Sequence, residues 1–225
     1  MQCISVAIDG PAGAGKSTIA RRAAALLGFV YVDTGAIYRT VGFSVLQSGI
    51  DPHNADAVSA LLPNICLRLE WSRDGVQHML LNGEDVTAAI RSPEVSETAS
   101  VISAIPTVRR FLLDTQRDVA KTHSVIMDGR DIGTVVLPDA DVKIYLFASS
   151  EVRAKRRWME LQTRDCADTY EEVLKDMNER DDRDMHRAIA PLRCADDAVR
   201  LDTSELSLED SVQAILNIIR ERTGL

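Results

Sequence analysis

Gly10-Pro11-Ala12-Gly13-Ala14-Gly15-Lys16-Ser17 fits the pattern G-x-x-x-x-G-K-[ST] at every position, between a β-branched run, Cys3 to Ile8, and an alanine- and leucine-rich run, Ser17 to Leu27. A strand, a glycine-rich turn and a helix in that order make a phosphate cradle. The glycines let the backbone amides of residues 13 to 18 turn inward around phosphate oxygens, and the helix N-terminus adds its partial positive charge. Lys16 then bridges β and γ phosphates as a point charge, while the Ser17 hydroxyl binds Mg2+. A glycine-rich turn without catalytic meaning is the alternative, and the flanking elements weigh against it.

Outward from this loop, strand-like and helix-like runs alternate, which predicts a parallel α/β sheet. Gly28 stands where a helix over 17–27 would end. A strand is expected over Phe29 to Val32 and a helix from about Ala36 to Leu46. The grammar then changes: Leu67 to Trp71, a turn at Asp74-Gly75, Val76 to Leu81 and Asn82-Gly83 predict an antiparallel hairpin inserted into the α/β pattern. After Pro106 helical spacing resumes, with Val108, Phe111, Leu112, Thr115 and Val119 on one face. Val125 to Met127 and Val142 to Phe147 read as buried strands and Val199 to Leu201 as a last short one. The segment Arg153 to Arg187 is too charged for a core and predicts a solvated helical cover. Ser207 to Arg220 closes the chain as an amphipathic helix, with Leu208, Val212, Ile215, Leu216 and Ile219 inward and Asp210 in the first turn.

The chain has 225 residues, enough for one substantial core with a small insertion. Hydrophobic residues at 45% and charged residues at 27% are ordinary globular usage and exclude a largely disordered chain. With 26 basic against 34 acidic side chains the net charge is −8, which argues against a nucleic-acid polymer as the main partner. Small anionic substrates remain compatible, since a local arginine cluster works inside an acidic protein. Cys3, Cys66, Cys166 and Cys194 are far apart, so neither a zinc site nor a disulfide framework is expected. The first ten residues carry no export signal and no apolar run nears membrane-spanning length, so we expect a cytoplasmic, unanchored protein.

Three further groups carry candidate chemistry. Val125-Ile126-Met127-Asp128 is an apolar strand ending in a carboxylate, the form that holds magnesium directly or through water, although many strands end in aspartate only to start a turn. Gly129-Arg130-Asp131 follows and puts a guanidinium and a second carboxylate at the C-terminal edge of the sheet, where open α/β folds bind ligands. Arg180, Arg183, Asp184 and Arg187 are spaced to share one helix face. Alone that spacing describes a solvated surface; beside a phosphate-binding loop it describes a lid whose arginines close over a transferring phosphoryl group. Tyr38-Arg39 and Arg109 lie on predicted helices and offer bidentate donors to phosphate. His53, His78, His123 and His186 show no metal or triad spacing.

Asp9 to Thr18, then Asp33-Thr34-Gly35-Ala36-Ile37-Tyr38-Arg39, then Asp128-Gly129-Arg130-Asp131-Ile132-Gly133-Thr134-Val135-Val136, then Arg180-Asp181-Asp182-Arg183-Asp184 closely resemble, in this order, the bacterial cytidylate kinases. The resemblance spans essentially the whole chain. It implies a P-loop NTPase fold of adenylate-kinase type: one domain over 1–225, a five-stranded parallel sheet flanked by helices, a small antiparallel monophosphate-binding insertion at about 63–90 and a short helical lid at about 153–187. It implies ATP on Gly10 to Thr18, with Arg157 among the lid arginines near it. For the acceptor it implies CMP or dCMP, with Thr34, Arg39, Arg109, Arg130 and Arg187 on phosphate and ribose, Asp184 on the sugar, and Ser100, Arg109 and Asp131 on the cytosine edge. Lys16, Arg130 and Arg180 would be catalytic, and Ser17, with Asp128 directly or through water, would hold Mg2+. A monomer acting on small molecules, with no membrane partner, is expected.

Two other readings are weaker. A kinase for adenylate, shikimate or gluconate would need a different acceptor motif, and a GTPase-type switch needs Asn-Lys-x-Asp and Asp-x-x-Gly strings that do not occur.

Overall fold

Val6 and Ile8 point to one face of β1 (Ser5–Asp9) and Ala7 to the other, and all three are buried because β1 is the middle strand of the sheet. The computed structural model describes residues 3–162 and 168–225. β1 pairs in parallel with β6 (Val125–Gly129), Val6 opposite Ile126, and with β7 (Val142–Phe147), Ile8 opposite Ile144. β2 (Val30–Asp33) and β8 (Val199–Asp202) complete a five-stranded parallel sheet of order β2-β6-β1-β7-β8. The period of two sorts the strand residues into two cores. Val6, Ile8, Ile126 and Ile144 pack with α1 (Lys16–Leu27) and α8 (Leu208–Thr223). Ala7, Val32, Val125 and Met127 pack under α2 (Thr34–Gln47), α4 (Pro93–Ile102) and α5 (Pro106–Thr122). A short α3 (Ala55–Leu61) leads into the insertion.

The expected hairpin forms as β3 (Leu67–Trp71) and β4 (Gln77–Leu81), with a two-residue β5 (Glu84–Asp85) added beyond the Asn82-Gly83 turn. Its Met79 and Leu81 reach the α2-side core. It also covers the exposed edge of β2, whose free backbone groups would otherwise invite other strands. The Gln77 amide accepts from the Asp33 N–H at 2.8 Å and donates to the Asp33 carbonyl at 3.3 Å, while Trp71 Nε1 donates to the Tyr31 carbonyl at 3.0 Å.

Three sequence expectations change. The charged stretch 153–187 is not merely a solvated cover: α6 (Ser150–Gln162) and α7 (Tyr170–His186) share a small core of Ala154, Val173 and Met177, and they bury Arg153, Asp181 and Asp184. Charged residues enter because they pair with one another and with the sheet's loops. Leu208 is not inward; it opens α8 and is exposed, while Val212, Ile215, Leu216 and Ile219 are buried as expected. On α5 the buried stripe is Val108, Arg109, Leu112 and Gln116, and Phe111 and Val119 lie at its margin. Cys166, the rest of 163–167 within the expected lid, and Met1 and Gln2 lie outside the described residues. Among the described residues no helix is long and apolar enough to cross a membrane.

Candidate active site

The loop from β1 to α1 is forced into shape by glycine. Gly10 has φ +151°, and a Cβ there would lie 1.9 Å from the Leu146 carbonyl oxygen of β7. Gly15 caps α1 at φ 84° with no side-chain cap, so the amides of the first turn are left for an anion. Ser17 and Thr18 stand exposed at that turn, and Lys16 is buried with its Nζ donating to the Pro11 carbonyl at 2.6 Å. Burial, then Arg130, pushes the Lys16 ammonium below its usual range, with Asp128 and Asp9 opposing.

Asp128 is the fourth residue of β6, a strand buried along its whole length, and has both carboxylate oxygens occupied. Ser17 Oγ donates to Oδ2 at 2.9 Å and the Tyr31 hydroxyl to Oδ1 at 2.8 Å. Burial, then Asp33, raises the Asp128 carboxyl above the ordinary carboxylate range, against Lys16, Tyr31 and Ser17. Burial and then Asp128 raise Tyr31 well above its usual value, so the phenol keeps its proton and is the donor. The Ser17 hydroxyl and the Asp128 carboxylate are hard oxygen donors side by side, the type Mg2+ takes when phosphates supply the rest of its shell. Thr34, expected on the acceptor phosphate, is buried and donates to the Asp128 carbonyl at 2.7 Å, which ties the start of α2 to the end of β6.

Beyond β6 the chain makes a five-residue π-helical turn, Ile132–Val136, held at both ends. Asp9 accepts from the Ile132 and Gly133 amides at 2.7 and 2.8 Å, and Arg117 donates to the Val136 and Val135 carbonyls at 2.9 and 3.0 Å. Burial raises Asp9 to about 6, the two amides opposing. This turn aims the two residues before it in different directions. Arg130 Nε bonds Asp184 Oδ2 at 2.8 Å, whereas Asp131 is paired with Arg109 and, at 3.2 Å, with Arg187. Ser103 joins that second group: its carbonyl accepts from Arg109 at 3.2 Å and its hydroxyl donates to the Ser100 carbonyl at 2.7 Å. Tyr38 lies under Arg109, the guanidinium carbon 5.7 Å from the ring centre.

Arg39, on α2, bonds Asp33 at 2.9 Å through one terminal nitrogen, and its Nε is buried with no partner among the described residues. Arg180 Nε, on α7, is buried and likewise has no partner among the described residues. Burial, then Arg130, lowers Arg180 to about 10, so it stays cationic at neutral pH. Buried polar groups are nearly always bonded. Two orphaned guanidinium donors at the C-terminal edge of the sheet are therefore set for an oxyanion.

The four residues expected on one helix face divide. Arg180 and Asp184 turn toward the sheet, Arg183 turns outward to pair with Glu97 of α4, and Arg187 caps α7 past its last turn, where it reaches Asp131. Arg157 pairs with Glu160 on its own helix at 2.9 Å, while Arg153, one turn nearer the root of α6, makes the contact to the phosphate-binding loop. The structure thus gathers Lys16, Ser17, Asp128, Arg39, Arg109, Arg130, Asp131, Arg180, Asp184 and Arg187 into two linked groups around one edge. Sequence reasoning missed Asp9, Tyr31, Ser103, Arg117, Arg153 and Asp181. Of these, Asp9, adjoining the glycine loop, and Asp181, within the Arg180 to Asp184 motif, stood in stretches already singled out, though neither had been given a role.

The family model described as cytidylate kinase matches residues 6–221. A cytidylate kinase of Caldicellulosiruptor bescii is 47% identical over 218 residues, covering 97% of this chain and 96% of that one. A cytidylate kinase of Desulfitobacterium hafniense is 48% identical over 219 residues, covering 97% and 94%. Among solved structures, a gluconokinase from Sinorhizobium meliloti 1021 superposes with a TM-score of 0.51 at 13% identity, covering 100% of this chain and 96% of that one, a likeness of fold alone.

Proposed function

The chain belongs to the cytidylate kinase family, and from that premise we propose that it transfers the γ-phosphoryl group of ATP to CMP or dCMP, giving ADP and CDP or dCDP. The observation that carries this reading is the pair of buried, unpartnered guanidinium nitrogens of Arg39 and Arg180 beside a complete phosphate-binding loop. ATP lies along Gly10 to Thr18 with Lys16 between its β and γ phosphates. Ser17 and Asp128 are the residues that would hold Mg2+, which supplies charge neutralisation at the phosphate oxygens.

The acceptor phosphate oxygen is already a nucleophile, the transition state is loose, and no general base is needed. Catalysis is then the placing of two phosphates in line by Lys16, Arg39, Arg130 and Arg180, whose charges meet the equatorial oxygens in a water-poor site. Ser100, Arg109 and Asp131 read the cytosine edge, Arg187 and Asp184 lie toward ribose and phosphate, and Thr34 fixes the start of α2, the helix that carries Arg39. The antiparallel insertion forms the wall of the monophosphate site and the α6–α7 segment its cover. On this reading the protein acts on small molecules in the cytoplasm, as a monomer of one domain.

A coupled ADP-release assay over CMP, dCMP, UMP, AMP and GMP tests the reading. CMP and dCMP should lead; AMP as the best acceptor would overturn it.

A further inference from the structure

Arg153 and Asp181 have no part in the chemistry above, yet each is at most 6% exposed. Arg153 stands on α6 and Asp181 on α7, and their side chains form an ion pair with Arg153 Nη1 2.7 Å from Asp181 Oδ2. The same pair takes both backbone polar groups of one loop residue. Arg153 Nη1 donates to the Ala12 carbonyl at 2.9 Å, and Asp181 Oδ1 accepts from the Ala12 amide at 3.3 Å. Arg153 Nε also donates to the Ala148 carbonyl, just past β7, at 2.9 Å. The next loop residue, Gly13, has φ +70° and faces the same helices. A Cβ there would come within 2.6 Å of Met177 Cε and 3.6 Å of Arg153 Cβ.

Burying two charges costs more than their attraction returns unless further hydrogen bonds complete the geometry. Here two of those further bonds go to Ala12 and one to Ala148. If the pair served only to join α6 to α7, the apolar contacts of Ala154, Val173 and Met177 already do so without desolvating charge. We propose that Arg153 and Asp181 are positioning residues for the nucleoside triphosphate: they fix Ala12 so that the amides following it are preset for the β and γ phosphates. Asp181 lies one turn before Asp184, which holds Arg130, and beside Arg180. One helix therefore keeps the donor loop and the transfer arginines in register.

The proposal rests on ATP binding at the glycine loop, not on the identity of the acceptor. Two variants test it: Asp181→Asn, which is isosteric, and the double change R153M/D181L, which leaves no buried charge unpaired. ATP and CMP affinity would be read by calorimetry, folding by melting temperature, and the loop by amide exchange in the nucleotide-free protein. We expect ATP to bind about tenfold more weakly to the double variant, the loss of one charge-assisted bond, and in the same direction for Asp181→Asn. CMP affinity should stay within about twofold, and exchange across 10–15 should quicken in both variants. A merely structural pair predicts that the double variant, once stable, regains normal ATP affinity; that result would overturn the proposal, as would equal losses for ATP and CMP. Failure of the wild-type chain to phosphorylate CMP would instead overturn the acceptor reading, with the ATP measurement still decisive here.

Discussion

Arg130 holds Asp184 across 2.8 Å, and its chain neighbour Asp131 turns away to Arg109 and Arg187. Two adjacent residues thus belong to different charge groups, one facing α7 and one facing α5 and the residue that caps α7. Asp131 pairs with Arg109 and Arg187 and not with Arg130, so it does not serve as an anchor for its chain neighbour. On the proposed reading, a carboxylate held between two arginines would trade one arginine contact for a base amino group.

Replacing Asp131 with Asn should therefore change selectivity more than turnover. Cytosine offers an exocyclic amino donor where uracil offers an acceptor, so the preference for CMP over UMP should shrink by about tenfold or more. Arg39→Ala and Arg130→Ala should lower kcat/KM for every acceptor by similar factors, because all share the phosphate. Steady-state kinetics with both acceptors separates the cases. A uniform loss in Asp131→Asn would assign that residue to organising Arg109 and Arg187.

Lys16→Ala should lower kcat by at least about a hundredfold, since a preset charge at the transferring phosphoryl group is removed. Its melting temperature should hold or rise, because a buried ammonium is lost with it. Near-normal turnover in the folded variant would refute the loop's role.

Tyr31→Phe removes one donor from Asp128 and leaves the apolar packing of the ring in place. Without that bond the carboxylate is freer to rotate, and half-saturation by Mg2+ should move up about threefold to tenfold at fixed ATP. KM for CMP should not change. A magnesium curve that overlays the wild type would show that Ser17 alone orients Asp128.

Much of this was legible because it is local. The glycine loop, the buried apolar strand runs and the hairpin turns each declare themselves within ten residues, and they formed where expected, with β5 too short at two residues to show a pattern. The groups that were missed act over distance. Asp181 meets Ala12 across 169 residues and Tyr31 meets Asp128 across 97, and no local spacing announces either contact. Charge on α6 and α7 suggested exposure, whereas Arg153, Asp181 and Asp184 are buried by pairing with one another's elements. Leu208 misled in the opposite way. It fits the apolar stripe by count, but as the first residue of α8 it precedes the turn that meets the sheet.

Asp9 supplies a prediction in pH. Burial raises its folded value to about 6, while an unfolded aspartate titrates near 3.8. Below about pH 4 both states carry the proton; between about 4 and 6 the unfolded chain releases it and the folded chain keeps it, so stability falls as pH rises through that window. Above about 6 the loss is complete, on the order of 3 kcal/mol. Asp9→Asn cannot titrate, so the stability of the wild type minus that of the variant should decline from pH 4 to pH 6 and then level off. Denaturant unfolding of both proteins at several pH values measures the difference, in which all other carboxylates cancel. Activity should move the other way. Near neutrality the ionised carboxylate accepts from both Ile132 and Gly133, whereas asparagine offers one acceptor and sets its own amide against the second donor. The π-helical turn that aims Arg130 and Asp131 should loosen, and kcat/KM should fall about tenfold even where the variant is the more stable protein. A stability difference that is flat or rises with pH would mean that the two amides outweigh burial and hold Asp9 ionised throughout.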